Sequence, residues 1–137
     1  MFENPAPDQI RALLGEVKTI AVLGLSNNPD RPSYGVAAYL QQAGYRIIPV
    51  RPAQTQVLGE TAYARLADVP AVPDLVDVFR APEHVAGIVD ECLAKGVRRL
   101  WLQEGVIDAA AAQRARDAGL TVVMDRCILK EHRKLLP

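Results

Sequence analysis

The stretch Thr19–Gly35, TIAVLGLSNNPDRPSYG, decides how the rest of the chain is organised. Its first seven residues, TIAVLGL, 19–25, form a continuous, β-branched-rich run. Such a run suits a strand buried on both faces of a sheet. Gly24 then permits a sharp turn and a close approach to the backbone. A helix is predicted from Ser33 to about Ala43, with Val36, Tyr39 and Leu40 at i, i+3, i+4 and Gly44 as its stop. Strand, glycine turn and helix in that order open a nucleotide-binding α/β fold. The usual G-x-G-x-x-G fingerprint is absent.

The pattern repeats on either side. DQIRALLGE, 8–16, reads as a short helix capped by Asp8. YRIIPV, 45–50, reads as the second strand. An irregular stretch follows, with a helical turn predicted near Ala62–Leu66. LVDVF, 75–79, is the third strand, and a helix starts at Pro82 and ends at Gly96. RRLWLQ is the fourth strand, and Asp108 to Gly119 a helix. LTVVMD is the fifth strand, and ILKEHRKLL a last helix. Alternating strands and helices with short connections favour parallel crossovers. The prediction is one domain, residues 1–137, with a doubly wound, Rossmann-like, parallel five-stranded sheet in the order 3-2-1-4-5. Ligands of such sheets bind beyond the carboxyl ends of the strands, where strand order reverses. That point is the end of the first strand, so Gly24–Tyr34 is the first candidate site.

Composition narrows the ligand. The chain has 137 residues, half of them hydrophobic, with 16 basic residues balancing 16 acidic ones. No overall field attracts nucleic acid or membrane, so an anion site must be local. Cys92 and Cys127 have neither zinc-site nor C-x-x-C spacing, and no metal site is predicted. Reduced thiols fit a cytoplasmic protein. The opening MFENPAPDQIRALLGEVK reads neither as a signal peptide nor as a membrane span.

The loop carries phosphate-binding chemistry. Ser26, Asn27 and Asn28 offer short polar side chains, and Pro29 and Pro32 stiffen the backbone. Arg31 supplies a planar cationic fork. Ser33 is expected to cap a helix whose N-terminus favours an anion, with Tyr34 beside it. At the end of the second strand stands Arg51, between Val50 and Pro52. NAD-binding domains carry an acidic residue in that region for the ribose hydroxyls. An arginine instead favours a ligand with an additional phosphate on its ribose, such as NADP or coenzyme A.

Other residues are read more plainly. Arg80 ends the third strand and is a ligand candidate, whereas Asp77 within it is expected to hydrogen-bond a loop N–H, with a ligand contact as the alternative. Trp101 reads as core or interface. His84 and His132 read as surface residues without catalytic partners. Cys127 follows the fifth strand and can face the same crevice.

The strings AVLGLSNNP-x-RPSY, GYRIIPVRP, LGE, DLVDVFR, WLQEGV and AGLTVVMDRCILKEH together resemble the small stand-alone bacterial CoA-binding proteins. These are similar to the N-terminal CoA-binding domain of the succinyl-CoA synthetase α subunit. The resemblance runs from about Lys18 to Leu135. It implies that Gly24, Leu25 and Ser26 line a phosphate turn and that Val50, Arg51 and Pro52 lie near the nucleotide. It also implies that Val78, Phe79 and Arg80 border the pantetheine path. Gln103, Glu104 and Gly105 match a turn of the synthetase after its fourth strand. Small family members more often carry asparagine at the position of Arg51 and an apolar or small residue at that of Glu104. The expected function is to bind coenzyme A or an acyl-CoA without catalysis, as carrier, sensor or regulatory module. The alternatives are an NADP-dependent or acyl-CoA-using enzyme, or a subunit of a larger ligase-like assembly with a protein partner.

Overall fold

A computed structural model describes residues 1–136. Helix α1 (Pro7–Glu16) leads into β1 (Thr19–Leu23), α2 (Pro32–Gln42) and β2 (Arg46–Val50). A short hairpin, β3 (Gln56–Val57) and β4 (Glu60–Thr61), precedes a 3-10 turn at Leu66–Asp68 and then β5 (Leu75–Val78). A second 3-10 turn, Pro82–His84, opens α3 (Val85–Lys95). The chain continues through β6 (Arg99–Leu102), α4 (Ala109–Asp117), β7 (Thr121–Val123) and α5 (Ile128–Leu135). The five main strands are all parallel and helices flank the sheet, as predicted.

Their order is β2-β1-β5-β6-β7. Counting the long strands alone, this is 2-1-3-4-5 and corrects the expected 3-2-1-4-5. The third long strand pairs with the far side of β1, Ile20–Leu23 against Leu75–Val78. Beyond β2 there is one bridged residue, Tyr63, opposite Val50. The Tyr63 N–H donates to the Pro49 carbonyl at 3.0 Å, and the Arg51 N–H donates to the Tyr63 carbonyl at 2.8 Å. A further strand would need an N–H from Pro49, which has none to give. The edge therefore supports a bridge and no ladder, and the helical turn expected at 62–66 forms later, at Leu66–Asp68. Strand β1 is the reversal point in either order, so the candidate site keeps its position.

Strand residues alternate between two cores. Ala21, Leu23, Val76, Val78, Leu100 and Leu102 join residues of α3 and α4. Ile20, Val22, Leu75, Trp101 and Val123 join residues of α1, α2 and α5. This is why TIAVL shows no polar alternation. The free edge of β7 is covered by the N-terminal arm. The Asn4 side-chain amide donates to the Met124 carbonyl at 2.9 Å, and its oxygen accepts from the Met124 N–H at 2.7 Å. Asp8 is not the cap of α1; Ala6 occupies that position, and its N–H donates to the Gln9 side chain at 2.9 Å.

Asp77 departs from the pattern. It lies in the middle of β5, fully buried, and among the described residues neither carboxyl oxygen has a hydrogen-bond partner. The expected bond to a loop N–H is absent. Burial pushes its carboxyl well above the ordinary 3.8. The folded protein therefore holds a proton that the unfolded chain releases. Stability from this group is fully present below pH 3.8 and is lost as pH rises towards the folded value. Asp77→Leu should raise stability at pH 8 by on the order of 2 kcal/mol and by less at pH 4. Urea unfolding at both pH values checks this; an equal gain at both would contradict the protonation account.

Candidate functional site

The turn after β1 is held by its own hydrogen bonds. The Gly24 N–H donates to the Val50 carbonyl at 2.9 Å, fixing the turn to the end of β2. The Ser26 N–H donates to Ser33 Oγ at 3.0 Å, and the Asn28 N–H to Ser26 Oγ at 3.0 Å. Asp30 and Arg31 close the loop through their N–H groups, onto the Asn28 side chain and carbonyl, both at 3.0 Å. Ser33 is thus not the helix cap. Arg31 holds that position, Pro32 starts the helix, and the Ser33 hydroxyl reaches back into the loop. Ser26 and Ser33 are 7% and 5% exposed. Each hydroxyl oxygen accepts a loop N–H, which leaves its own O–H able to donate.

Both hydroxyls line a cleft of about 860 Å³ across the carboxyl ends of the strands. Gly24, Arg31 and Val36 border it from β1 and α2, and Arg51 and Pro52 from β2. Phe79, Arg80 and Ala81 follow β5, whereas Gln103, Glu104 and Val106 follow β6. Cys127 enters from the start of α5. Among the described residues, the guanidinium groups of Arg31, Arg51 and Arg80 have no ion-pair partner. The single carboxylate of the lining, Glu104, is held by Lys130 at 3.1 Å. A chain of zero net charge thus concentrates three free cations in one groove.

The far end of the cleft is tied by side-chain hydrogen bonds. Gln103 is 5% exposed, and its side-chain oxygen accepts the Ile128 N–H at 3.2 Å. That bond fixes which end of the amide is oxygen and leaves the Nε2 hydrogens without a partner among the described residues. The Trp101 indole N–H donates to the Arg126 carbonyl at 2.8 Å. Asp125, with a φ of 59°, accepts the Gly105 N–H at 2.9 Å. Trp101, Gln103 and Asp125 together position the segment that carries Cys127.

Comparison with known proteins defines the family. The pattern of the CoA binding domain matches residues 18–133. The chain belongs to the CoA-binding domain family. A Bacillus subtilis protein, YneT, is 39% identical over 131 residues, covering 96% of this chain and 97% of its own. A solved structure from Pyrococcus horikoshii, described as a hypothetical protein, has 33% identity and a TM-score of 0.92, with 100% of both chains covered. The ADP-forming acetate–CoA ligase II of Archaeoglobus fulgidus is 28% identical over 83 residues. That match takes in 59% of this chain and 12% of the ligase, so the chain spans a small part of that enzyme's length.

Not every residue singled out in the sequence reaches the cleft of this CoA-binding domain. Leu25 is fully buried in the core under α2, and Val50 and Val78 are buried in the opposite core. Val50 contributes only its carbonyl, to Gly24. Asn27 is exposed outside the lining, and Tyr34 packs half-buried against the core. Gly105 serves the β6–α4 turn through Asp125. Pro32, Val36, Ala81 and Val106 line the cleft unforeseen. The helical spacing of Val36 had marked it as core, and it is both buried and at the rim.

His132 is also more than a surface residue. Its Nδ1 lies 2.9 Å from the Tyr39 hydroxyl, and its ring stands edge-on to Tyr39 and Tyr45. Partial burial lowers its basicity. It therefore pins α5 to α2 and lies outside the cleft lining. A second hollow, about 490 Å³, opens at the amino ends of the strands beside α1. There Arg99 pairs with Glu16 at 3.2 Å and Arg116 donates to the Glu3 carbonyl at 3.2 Å. Its cations are largely engaged within the CoA-binding domain, unlike those of the cleft.

Proposed function

We propose that this chain binds coenzyme A or an acyl-CoA in the cleft beyond β1, and that it holds the ligand without converting it. The observation that carries the reading is the conjunction of three free arginines with two nearly buried hydroxyls that retain donors. Phosphate oxygens accept from such groups, and charge-assisted bonds of this kind are the stronger ones. The cleft also has the shape for an elongated ligand. From Arg51 to Gln103 its lining follows β2, β1, β5 and β6, three strand spacings, about 14 Å. Phosphates would rest on Ser26, Ser33 and Arg31, the nucleotide end would meet Arg51, and the pantetheine arm would run past Phe79 and Arg80 to Gln103. Family membership supports the choice of ligand. The reading of holding without chemistry rests on the lining, whose carboxylate is tied to Lys130 and which presents no histidine. A carrier or sensor in the cytoplasm is the role this suits.

Isothermal titration tests the proposal. Coenzyme A should bind with one site per chain and more tightly than NADP. No heat at millimolar coenzyme A, or preference for NADP, would overturn it. A second reading, a subunit of a larger ligase-like assembly, draws on the stretch shared with the acetate–CoA ligase. Co-purification with a nucleotide-binding protein would favour it.

A further inference from the structure

The cleft ends on a thiol that the binding reading leaves unused. Cys127 is half-exposed at the start of α5 and lines the same groove as the free arginines. Its neighbour Ile128 is bonded to Gln103, whose nearly buried amide presents unpartnered donors in that groove. Trp101 and Asp125 hold the residues just before it. The other cysteine, Cys92, is fully buried within the core of α3, and burial pushes its thiol up to about 12. One cysteine is therefore presented to a ligand and the other is packed away from it.

Resting on the proposed function, we infer that Cys127 is a covalent docking point for the oxidised coenzyme. The cleft aligns a coenzyme A disulfide for exchange with this residue. The Cys127 thiolate attacks one sulfur of the disulfide. The bond between the two coenzyme sulfurs breaks, a bond from Cys127 Sγ to one of them forms, and the other coenzyme leaves as a thiolate that takes a proton from water. The disulfide supplies the oxidising equivalents, so no further oxidant is needed. A reduced thiol reverses the step. The site would thus store coenzyme A on the protein when the coenzyme pool is oxidised and release it on reduction.

The chemistry follows from the cleft's length. A ligand whose phosphates sit at Ser26 and Arg31 and whose arm crosses β5 and β6 brings its sulfur to Cys127, whose neighbours Arg126 and Ile128 are bonded to Leu102 and Gln103 at the end of β6. Alignment of this kind raises the effective concentration of the reacting group. A small disulfide without the nucleotide lacks that guidance.

The test is intact-mass spectrometry, without reductant, of the protein incubated with coenzyme A disulfide or with glutathione disulfide. Titration with reduced coenzyme A runs in parallel. The native chain and Cys92→Ser should gain one coenzyme A moiety, removable by dithiothreitol, and Cys127→Ser should gain none while keeping a native circular dichroism spectrum. The coenzyme disulfide should react at least about tenfold faster than glutathione disulfide. Binding of reduced coenzyme A without any adduct would overturn this inference and leave the proposed function standing. Equal rates with the two disulfides, or an adduct on Cys92, would also overturn it. Absence of both binding and adduct would remove the two together.

Discussion

Gly24→Ala should destabilise the fold by about 3 kcal/mol, lowering the melting temperature by about 10 °C. Gly24 has a φ of 84°, in the left-handed region that favours glycine. A Cβ at this position would stand 2.4 Å from the Phe79 carbonyl oxygen and 3.0 Å from Arg80 Cδ. The first of these is backbone and cannot swing away. The neighbouring segments belong to the central pair β1 and β5, tied by the Phe79 N–H to the Leu23 carbonyl at 2.9 Å. Relief requires the end of β5 to move, and Phe79 and Arg80 with it. Coenzyme A binding should therefore fall together with stability. Gly87→Ala is the contrasting change, since it is exposed within α3 with nothing within 4 Å of the added carbon. It should stabilise by about 0.5–1 kcal/mol. Thermal unfolding of both variants checks the pair; a harmless Gly24→Ala would contradict the close approach of β1 and β5.

The second large effect separates the two ends of the ligand. Arg51→Ala should weaken coenzyme A binding about tenfold or more, the loss of one charge-assisted contact. It should scarcely change binding of dephospho-coenzyme A, which lacks the ribose phosphate. Arg31→Ala should weaken both ligands by a similar factor, because the pyrophosphate is common to them. Among the described residues neither arginine side chain has an ion-pair partner to leave stranded, so neither loss should unfold the protein. Equal losses for both ligands on Arg51→Ala would contradict its assignment to the ribose phosphate. Titration calorimetry of the four combinations measures this.

Much of the architecture was legible because the strands are buried on both faces. Runs such as TIAVL and LVDVF announce themselves without a partner, and each helix carries a regular apolar stripe. Strand order was not legible. It depends on one missing N–H, at Pro49, and on a segment after β2 with no periodicity of its own. The candidate cleft was legible because β1 is the reversal point in both topologies. Its wiring was not. A serine beside a proline suggested a cap, yet Pro32 lets the helix start earlier and frees Ser33 to hold Ser26. Leu25 lies next to the turn glycine in sequence but points into the core, which the chain's local pattern does not reveal. Asp77 breaks an apolar strand, and its lack of a partner could be learned only from its surroundings.

The most direct test of the account is a crystal structure of the protein grown with coenzyme A. The account predicts the pyrophosphate against Ser26, Ser33 and Arg31, the ribose phosphate at Arg51, and the sulfur end near Gln103 and Cys127. Coenzyme A in the hollow beside α1 instead, or a cleft closed by its own side chains, would contradict it.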